Sequence, residues 1–211
     1  LGRNQLIDNE VNTGYCKLHE IDIFRRKSGG GCIYADEGCI QFSYISRTSN
    51  ANEAFACYMQ RMARKLQGLG IDARLSGRND ILIDNAKVSG CAFYQLSGRS
   101  VLHNSLLFDT RLDHLSNALT PAKEKLQSKG VESVKQRVMN LAAYTHLGIS
   151  AFMDYVRREM CGAEVLQLTD EDMQGVAELE KELASDSFVY GKNPKYTVVR
   201  KHRFEGVGTL E

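Results

Sequence analysis

Residues 77–90 read GRNDILIDNAKVSG, and this stretch carries the clearest fold signal in the chain. Asp84-Asn85 is a favourable turn between the apolar run at 81–83 and the segment at 87–89, so the stretch predicts a β-hairpin. Side chains of a strand alternate between the two faces of the sheet, so the hairpin register decides which groups meet Lys87.

The hairpin allows two registers. With a two-residue loop, Leu82 faces Lys87 across the ladder, and Asp80, Ser89 and Lys87 share one face. With a three-residue loop, Asn79 joins that face instead. Either register predicts a polar group within reach of Lys87, although an exposed strand face with a solvated lysine fits the same spacing.

The rest of the chain divides into blocks of short strands and helices. Alternating apolar residues predict strands at residues 21–24 and 40–45, and short β segments are predicted at 71–75, 81–83, 87–89, 106–108 and 196–199. A helix is predicted to begin at Asn50, with Glu53 in the capping-box position, and to end at Gly68 and Gly70. Three later apolar stripes predict helices, namely Leu112/Leu115/Leu119, Phe152/Val156/Met160 and Val176/Leu179/Leu183, the last behind a Thr169-x-x-Asp172 cap.

This order of elements predicts the fold class. Strands come first, then one helix, more strands and a block of helices, an order that favours an α+β domain over an alternating parallel one. We expect a largely antiparallel mixed sheet flanked by helices. With 211 residues, no repeats and no low-complexity linker, the chain is predicted to form a single domain over residues 1–211.

Composition excludes several classes of function. The chain is 43% hydrophobic and 25% charged, as in globular proteins, and its formal net charge of +1 argues against general nucleic-acid binding. The sequence has no apolar run that approaches the ~20 residues of a membrane helix. The six cysteines include no C-x-x-C pair, and the five histidines have no zinc-ligand spacing, so free thiols and no structural metal are expected.

A glycine-rich segment is the strongest candidate for ligand binding. Arg25 and Arg26 precede the run Ser28-Gly29-Gly30-Gly31. Consecutive glycines let the backbone approach a ligand and turn N–H groups toward an anion, and arginine donors suit carboxylate or phosphate. A flexible hairpin turn with surface arginines fits the segment equally well. The P-loop signature G-x-x-x-x-G-K-[ST] does not occur in the sequence.

Two further features have plain structural interpretations. His103 lies at the edge of an apolar strand, where a lone histidine is more often structural than functional. The lysines between residues 123 and 135 are interleaved with acidic residues, which favours a solvated helix face over a nucleic-acid patch. The members of that cluster are Lys123, Lys125, Lys129 and Lys135.

Six motifs in order resemble the lipoate–protein ligase A family of the biotin/lipoate ligase superfamily, and the resemblance runs nearly end to end. The motifs are Gly2-Arg3-Asn4-Gln5 with Asn12, Arg25-Arg26-x-Ser28-Gly29-Gly30-Gly31-x-Ile33-Tyr34-x-Asp36, Gly77-Arg78-Asn79-Asp80, Lys87-Val88-Ser89-Gly90, Ser133-Val134-x-x-Arg137-Val138-x-Asn140-Leu141 and Tyr190-Gly191-Lys192-Asn193-Pro194-Lys195. The resemblance implies the catalytic-domain fold of class II synthetases and biotin/lipoate ligases.

The resemblance also implies an activity and a set of site residues. Lipoate and ATP would form lipoyl-AMP and pyrophosphate, with Lys87 as the catalytic residue, and the lipoyl group would pass to a lysine of a lipoyl domain. The implied nucleotide contacts are Arg26, Gly31, Cys32, Ile33, Tyr34, Asn79, Asp80 and Lys87. The implied lipoate contacts are Arg26, Ser28, Gly29, Gly30, Gly31, Lys87 and His103. Asp80 is the implied Mg²⁺ ligand.

The implied partners are the lipoyl domains of 2-oxoacid dehydrogenase acyltransferase subunits and the glycine-cleavage H protein. Binding to nucleic acid or to a membrane is not expected. The implied location is the cytoplasm, or the mitochondrion in a eukaryote. The chain opens at Leu1 without a methionine, so we expect it to lack an N-terminal segment and any C-terminal accessory domain. A separate small accessory subunit could supply such a part.

Two alternatives stay open at this stage. An octanoyltransferase of the same superfamily would use a cysteine and no ATP, but no cysteine precedes Lys87 in the stretch at 75–80. A homologue that binds lipoate without catalysis is the other alternative, against which the intact Lys87 argues. The chain departs from the family where members usually read His-His-Gly-Thr, because here Asn104 replaces the glycine in Leu102-His103-Asn104-Ser105.

Overall fold

The computed structural model is described for residues 1–48, 50–76, 79–96, 98–120, 138–162, 164–191, 202–204 and 208–210. A five-stranded sheet forms its centre, with the strand order β1-β5-β4-β3-β2 and antiparallel pairing at every step. The strands are β1 (Cys39–Ser46), β2 (Arg74–Ser76), β3 (Asp80–Ile83), β4 (Ala86–Leu96) and β5 (Arg99–Leu107). The predicted α+β class and antiparallel sheet are confirmed.

Helices and a small hairpin complete the described fold. The helices are α1 (Ile7–Glu10), α2 (Thr13–Leu18), α3 (Ala51–Gln67), α4 (Leu112–Ala118), α5 (Ile149–Met160), α6 (Asp170–Ala184) and α7 (Asp186–Val189), with a 3₁₀ turn at Leu141–Tyr144. Strands β6 (His202–Phe204) and β7 (Gly208–Leu210) form a separate antiparallel pair. None of the helices in these ranges is long and apolar enough to cross a membrane.

Helix α3 covers one face of the sheet and forms the main core with it. The Asn50 side chain accepts a hydrogen bond from the Glu53 N–H at 3.2 Å, so the predicted cap begins the helix. Met62 and Leu66 of α3 are buried in the same apolar cluster as Ile81 of β3. Because this face is filled, a ligand has room only on the opposite face of the sheet or at its ends.

Several predicted strands differ in extent from the observed ones. The segment predicted at 87–89 is a piece of the long strand β4, and residues 106–107 of the next one end β5, so that residue 108 lies beyond the strand. The segment predicted at 71–75 contributes only residues 74–75 to β2. The turns between β3 and β4 and between β4 and β5 use left-handed backbone, with φ of 48° at Asp84, 64° at Asn85 and 76° at Gly98. The predicted strand at 196–199, the lysines at 123–135 and residues 192–195 lie outside the described residues.

The predicted strand at residues 21–24 is wrong. This segment lies outside every strand of the described chain, and its hydrogen bonds go elsewhere. The terminal amine of Leu1 donates to the Phe24 carbonyl at 2.7 Å, and the Arg26 N–H donates to the Leu1 carbonyl at 3.0 Å. The alternation has another cause, since Ile21 and Ile23 pack against a small apolar cluster that includes Leu1.

The guanidinium of Arg25 binds backbone carbonyls, contrary to the expectation that both arginines supply anion donors. Its side chain is buried, and its guanidinium donates to four backbone carbonyls at 2.7–3.3 Å, those of Gly2, Arg3, Gln5 and Val189. Burial lowers the pKa of this guanidinium. Arg25 therefore joins the N-terminal segment to α7 and fixes the start of the glycine-rich segment.

We expect Arg25→Lys to lower the free energy of unfolding by roughly 2–4 kcal/mol, because an ammonium cannot reproduce the planar set of donors and leaves buried carbonyls unsatisfied. Urea denaturation measures the loss. The matched control is Arg47→Lys at an exposed position, which should change stability by less than about 0.5 kcal/mol. Equal stabilities of the two variants would contradict this account of Arg25.

Candidate active site

A cavity of about 450 Å³ lies on the face of the sheet opposite α3, beneath the glycine-rich segment. Clefts of this size commonly hold small ligands. The cavity lies between the backbone of residues 30–34 and strands β1, β3, β4 and β5. Its walls combine charged groups with an apolar end formed by Leu107, Leu115, Leu119 and Val138. The cavity therefore suits a ligand that has both an anionic and an apolar part.

The hairpin places Lys87 in this cavity with a carboxylate beside it. The Lys87 Nζ lies 2.7 Å from Oδ1 of Asp80, whose side chain is 5% exposed against 23% for Lys87. The expectation of a polar group near Lys87 is confirmed. Because the ammonium is partly exposed to the cavity, it can contact a ligand while Asp80 holds it.

A β-bulge produces this pairing. The two-residue loop is confirmed, since Leu82 pairs with Lys87, but Asp80 pairs with Gly90 because the register shifts between Ile81 and Leu82. The prediction that Ser89 shares the face of Lys87 is therefore wrong. Ser89 pairs with the core residue Ile81, and its buried side chain accepts a hydrogen bond from Asn104 Nδ2 at 2.9 Å.

Gly90 makes room for the lysine side chain. A Cβ atom at this position would lie 2.4 Å from Nζ and 2.7 Å from Cε of Lys87. Any side chain at residue 90 would therefore displace the ammonium from its place beside Asp80. Spacing alone does not reveal this requirement, since it follows from the bulge.

Arg26 organises the glycine-rich segment from within. Its guanidinium donates to the carbonyls of Gly29 and Gly31, both at 2.7 Å, and its Nε donates to Ser28 Oγ at 3.0 Å. Gly30 has φ of 89°, and a Cβ there would lie 3.0 Å from the Arg26 guanidinium. The segment thus wraps around one cation, which places a half-buried positive charge beside the cavity.

The described site residues separate into two groups. Those that line the cavity are Arg26, Gly30, Gly31, Cys32, Ile33, Tyr34, Asn79, Asp80, Lys87 and His103. Ser28 and Gly29 do not line it. The Ser28 side chain is buried and its Oγ lies 2.6 Å from Nε2 of His103, while Gly29 gives its carbonyl to Arg26. Gly77 and Arg78 lie outside the described residues.

The cavity also has lining residues that the sequence analysis missed. Gln41 and Ser43 of β1, Ser105 of β5 and Glu10 of α1 contribute to its walls. The strand register explains two of them, because Gln41 pairs with Ser105 and Ser43 pairs with His103. Alternation within β1 could have indicated this polar face, but only the sheet order shows that β1 lies next to β5.

Asn104, the departure from the family motif, is buried beneath the site. The Tyr58 hydroxyl of α3 donates to Asn104 Oδ1, and Asn104 Nδ2 donates to Ser89 Oγ at 2.9 Å. Burial raises the pKa of Tyr58. Asn104 therefore fills a place in the core with satisfied hydrogen bonds, and the strand around His103 keeps regular pairing.

The cysteines, all of which lie in the described part of the chain, form neither a disulfide nor a metal-binding cluster there. All six cysteines are free thiols. Burial raises the pKa of Cys91, the cysteine nearest Lys87 in sequence, to about 12, so this thiol is a poor nucleophile at neutral pH. No group of three or more histidine, cysteine, aspartate or glutamate side chains is placed to hold a metal among the described residues.

The fold and the site together define an α+β domain with a lysine-centred cavity on an antiparallel sheet. The family model for the lipoyl protein ligase A/B catalytic domain matches residues 1–161. The chain therefore belongs to the lipoyl protein ligase A/B catalytic domain family.

Curated relatives and solved structures agree with this family. Lipoate–protein ligase 1 of Staphylococcus aureus is 36% identical over 97% of this chain and 65% of its own length. Lipoate-protein ligase LplJ of Bacillus subtilis is 32% identical over 100% of this chain and 66% of its own length. The chain thus spans slightly less than two thirds of the length of these relatives.

One similar solved structure comes from a study of a bipartite lipoate protein ligase and its E2 lipoyl domain from Thermoplasma acidophilum. Its TM-score against this chain is 0.77, and the sequence identity is 27%. It covers 94% of this chain and 82% of its own. A lipoate-protein ligase A bound with ATP has a TM-score of 0.78 at 24% identity and covers 91% of this chain and 81% of its own. At 24% identity, the similarity to this ATP-bound structure shows a shared fold.

Proposed function

We propose that this chain is the catalytic part of an ATP-dependent lipoate–protein ligase. It would activate lipoate as lipoyl-AMP and transfer the lipoyl group to a specific lysine of a lipoyl domain. The observation that carries the proposal is the Lys87 ammonium, held by Asp80 at 2.7 Å in a cavity beneath the glycine-rich segment. The names of the relatives, which are lipoate–protein ligases, support the same activity.

The first step joins two anions. An oxygen of the lipoate carboxylate attacks the α-phosphorus of ATP, the bond to the bridging oxygen breaks, and pyrophosphate leaves. Lys87 would lie between the carboxylate and the α-phosphate, where its charge offsets their repulsion and the growing negative charge on phosphorus. Arg26 supplies a second positive charge at the wall of the cavity.

The second step transfers the acyl group. The amine of the acceptor lysine attacks the acyl carbon, AMP departs, and the amine loses a proton. Lys87 would polarise the acyl carbonyl in this step by the same charge. We propose Gly31, Cys32, Ile33, Tyr34 and Asn79 as nucleotide contacts, since all of them line the cavity.

The proposed lipoate contacts are the side chains of Arg26, Lys87 and His103 and the backbone of Gly30 and Gly31, all of which line the cavity.

The proposed acceptors are lipoyl domains. The Thermoplasma acidophilum study describes a bipartite lipoate protein ligase together with its E2 lipoyl domain. This supports a lipoyl domain as the acceptor, and we propose the lipoyl domains of 2-oxoacid dehydrogenase acyltransferase subunits and the glycine-cleavage H protein. The bipartite ligase of that study supports a separate accessory subunit as a further partner.

Asp80 is the residue that would hold Mg²⁺. Magnesium is usually bound by one or two carboxylates together with phosphate oxygens of the substrate, and Asp80 offers a carboxylate at the cavity wall. The ion would neutralise phosphate charge when it binds with ATP.

The proposed location is a reducing compartment, which the free state of all six thiols supports. We propose the cytoplasm, or the mitochondrion in a eukaryote.

The requirement for ATP tests the proposal. A recombinant lipoyl domain incubated with this protein, lipoate, ATP and Mg²⁺ should gain the mass of one lipoyl group, and the reaction without ATP should leave its mass unchanged. Transfer from an acyl donor without ATP would instead indicate an octanoyltransferase. Lipoate binding without adenylate formation would indicate a homologue that has lost catalysis.

A further inference from the structure

A relay of three side chains joins the glycine-rich segment to strand β5. Arg26 Nε donates to Ser28 Oγ at 3.0 Å, and Ser28 Oγ lies 2.6 Å from Nε2 of His103, which is 75 residues away in sequence. The Ser28 side chain is 1% exposed. Ser28 is thus shielded from the cavity, whereas His103 lines it.

The chemistry of the three groups sets the direction of each hydrogen bond. A guanidinium nitrogen can only donate, so Ser28 Oγ accepts from Arg26. Ser28 then has one hydrogen to give, and His103 Nε2 is the remaining partner of its hydroxyl among the described residues. If Nε2 carried the proton, the buried hydroxyl hydrogen would have no acceptor, an arrangement that proteins avoid.

The surroundings of His103 favour the neutral form of its imidazole. Burial, and then the charge of Arg26, lower the pKa of its imidazole below the ordinary value. A neutral imidazole with an unprotonated Nε2 carries its proton on Nδ1. No residue that the structure describes bonds to Nδ1, so this N–H is available to the cavity.

We propose that Ser28 is a positioning residue that acts through His103. It holds His103 as the Nδ1–H tautomer, so that the imidazole donates to an acceptor oxygen of the bound ligand. The class of ligand group is a carboxylate or acyl carbonyl, because a neutral N–H recognises an oxygen acceptor. Its identification with the carboxyl group of lipoate rests on the proposed function, whereas the relay itself does not.

The tautomer can be read directly by ¹⁵N nuclear magnetic resonance of histidine-labelled protein at neutral pH, with His103→Gln used to assign the signals among the five histidines. We expect a protonated Nδ1 and an unprotonated Nε2 in the wild type. Ser28→Ala should shift the His103 signals toward the Nε2–H form. Ser43→Ala should not, because it removes a hydroxyl directly across the ladder from His103 that is not bonded to the ring.

A wild-type spectrum with protonated Nε2, or with imidazolium, would overturn the relay without any variant. Unchanged His103 signals in folded Ser28→Ala protein would overturn it as well.

Isothermal titration calorimetry then tests the ligand contact. Ser28→Ala should weaken lipoate binding by about tenfold or more. A shifted tautomer with unchanged affinity would overturn the ligand contact. Wild-type protein that shows the relay but binds no lipoate would disprove the proposed function and leave the relay standing.

Discussion

Lys87→Ala should lower the rate of lipoyl transfer by about 10²–10³-fold, which is the usual effect of removing one preorganised charged donor. The ammonium is placed at 2.7 Å from Asp80 and contacts the cavity, so its loss removes the charge proposed to lie between carboxylate and phosphate. The rate is measured by intact mass of a lipoyl-domain acceptor after incubation with ATP and lipoate, and circular dichroism reports whether the fold is retained.

Lys65→Ala is the matched control. Lys65 also forms an ion pair, with Glu159 at 2.9 Å, and its side chain is 32% exposed against 23% for Lys87, but it lies on α3 outside the cavity lining. This variant should transfer lipoate at close to the wild-type rate. If folded Lys87→Ala protein matched the control, the assignment of Lys87 as the catalytic residue would be wrong.

Gly90→Ala should lower the transfer rate by about 10–100-fold while the protein stays folded. The new Cβ would lie 2.4 Å from Lys87 Nζ, so the flexible lysine must move away from Asp80. Because the displaced atoms are the end of a mobile side chain, the cost in stability is small. A misplacement of about 1 Å at a reacting centre can nevertheless cost 10²-fold in rate.

Thermal unfolding and transfer kinetics, measured on the same preparations, distinguish these two effects. Gly162→Ala is the control, since a Cβ there meets nothing within 4 Å. We expect the melting temperatures of both variants to lie within a few degrees of that of the wild type. Only Gly90→Ala should transfer the lipoyl group more slowly. A wild-type rate for Gly90→Ala would show that the ammonium does not act from its position above residue 90.

Local signals in the sequence predicted much of the fold. The hairpin around Asp84-Asn85, the helix that begins at Asn50 and the capping box at Thr169 and Asp172 are all present, because each depends on residues a few positions apart. The prediction of a strand at 21–24 was wrong because it, too, used only residues a few positions apart. Alternation reports half-burial of an extended segment, whereas a strand also needs a neighbour to pair with.

The order of six motifs, together with the resemblance that they carry, was sufficient to predict the family and the fold class, and ten of the residues that it implied for the site line the cavity. Their spacing could not distinguish Arg25 from Arg26. The two are neighbours in sequence, yet one is buried among backbone carbonyls and the other lies beside the cavity. That difference depends on carbonyls of the N-terminal segment, 20–23 residues away, and of Val189 in α7, 164 residues away.

The sequence by itself therefore determined the turns, the caps, the apolar faces and the residue types available for chemistry, because these follow from backbone preference and side-chain periodicity. Only the tertiary structure decided which groups meet. The bulge that brings Asp80 to Lys87 and the contact of Ser28 with His103 both arise from strand pairing and packing. Such contacts depend on the sum of many weak interactions across the whole sheet, which no short stretch of sequence encodes.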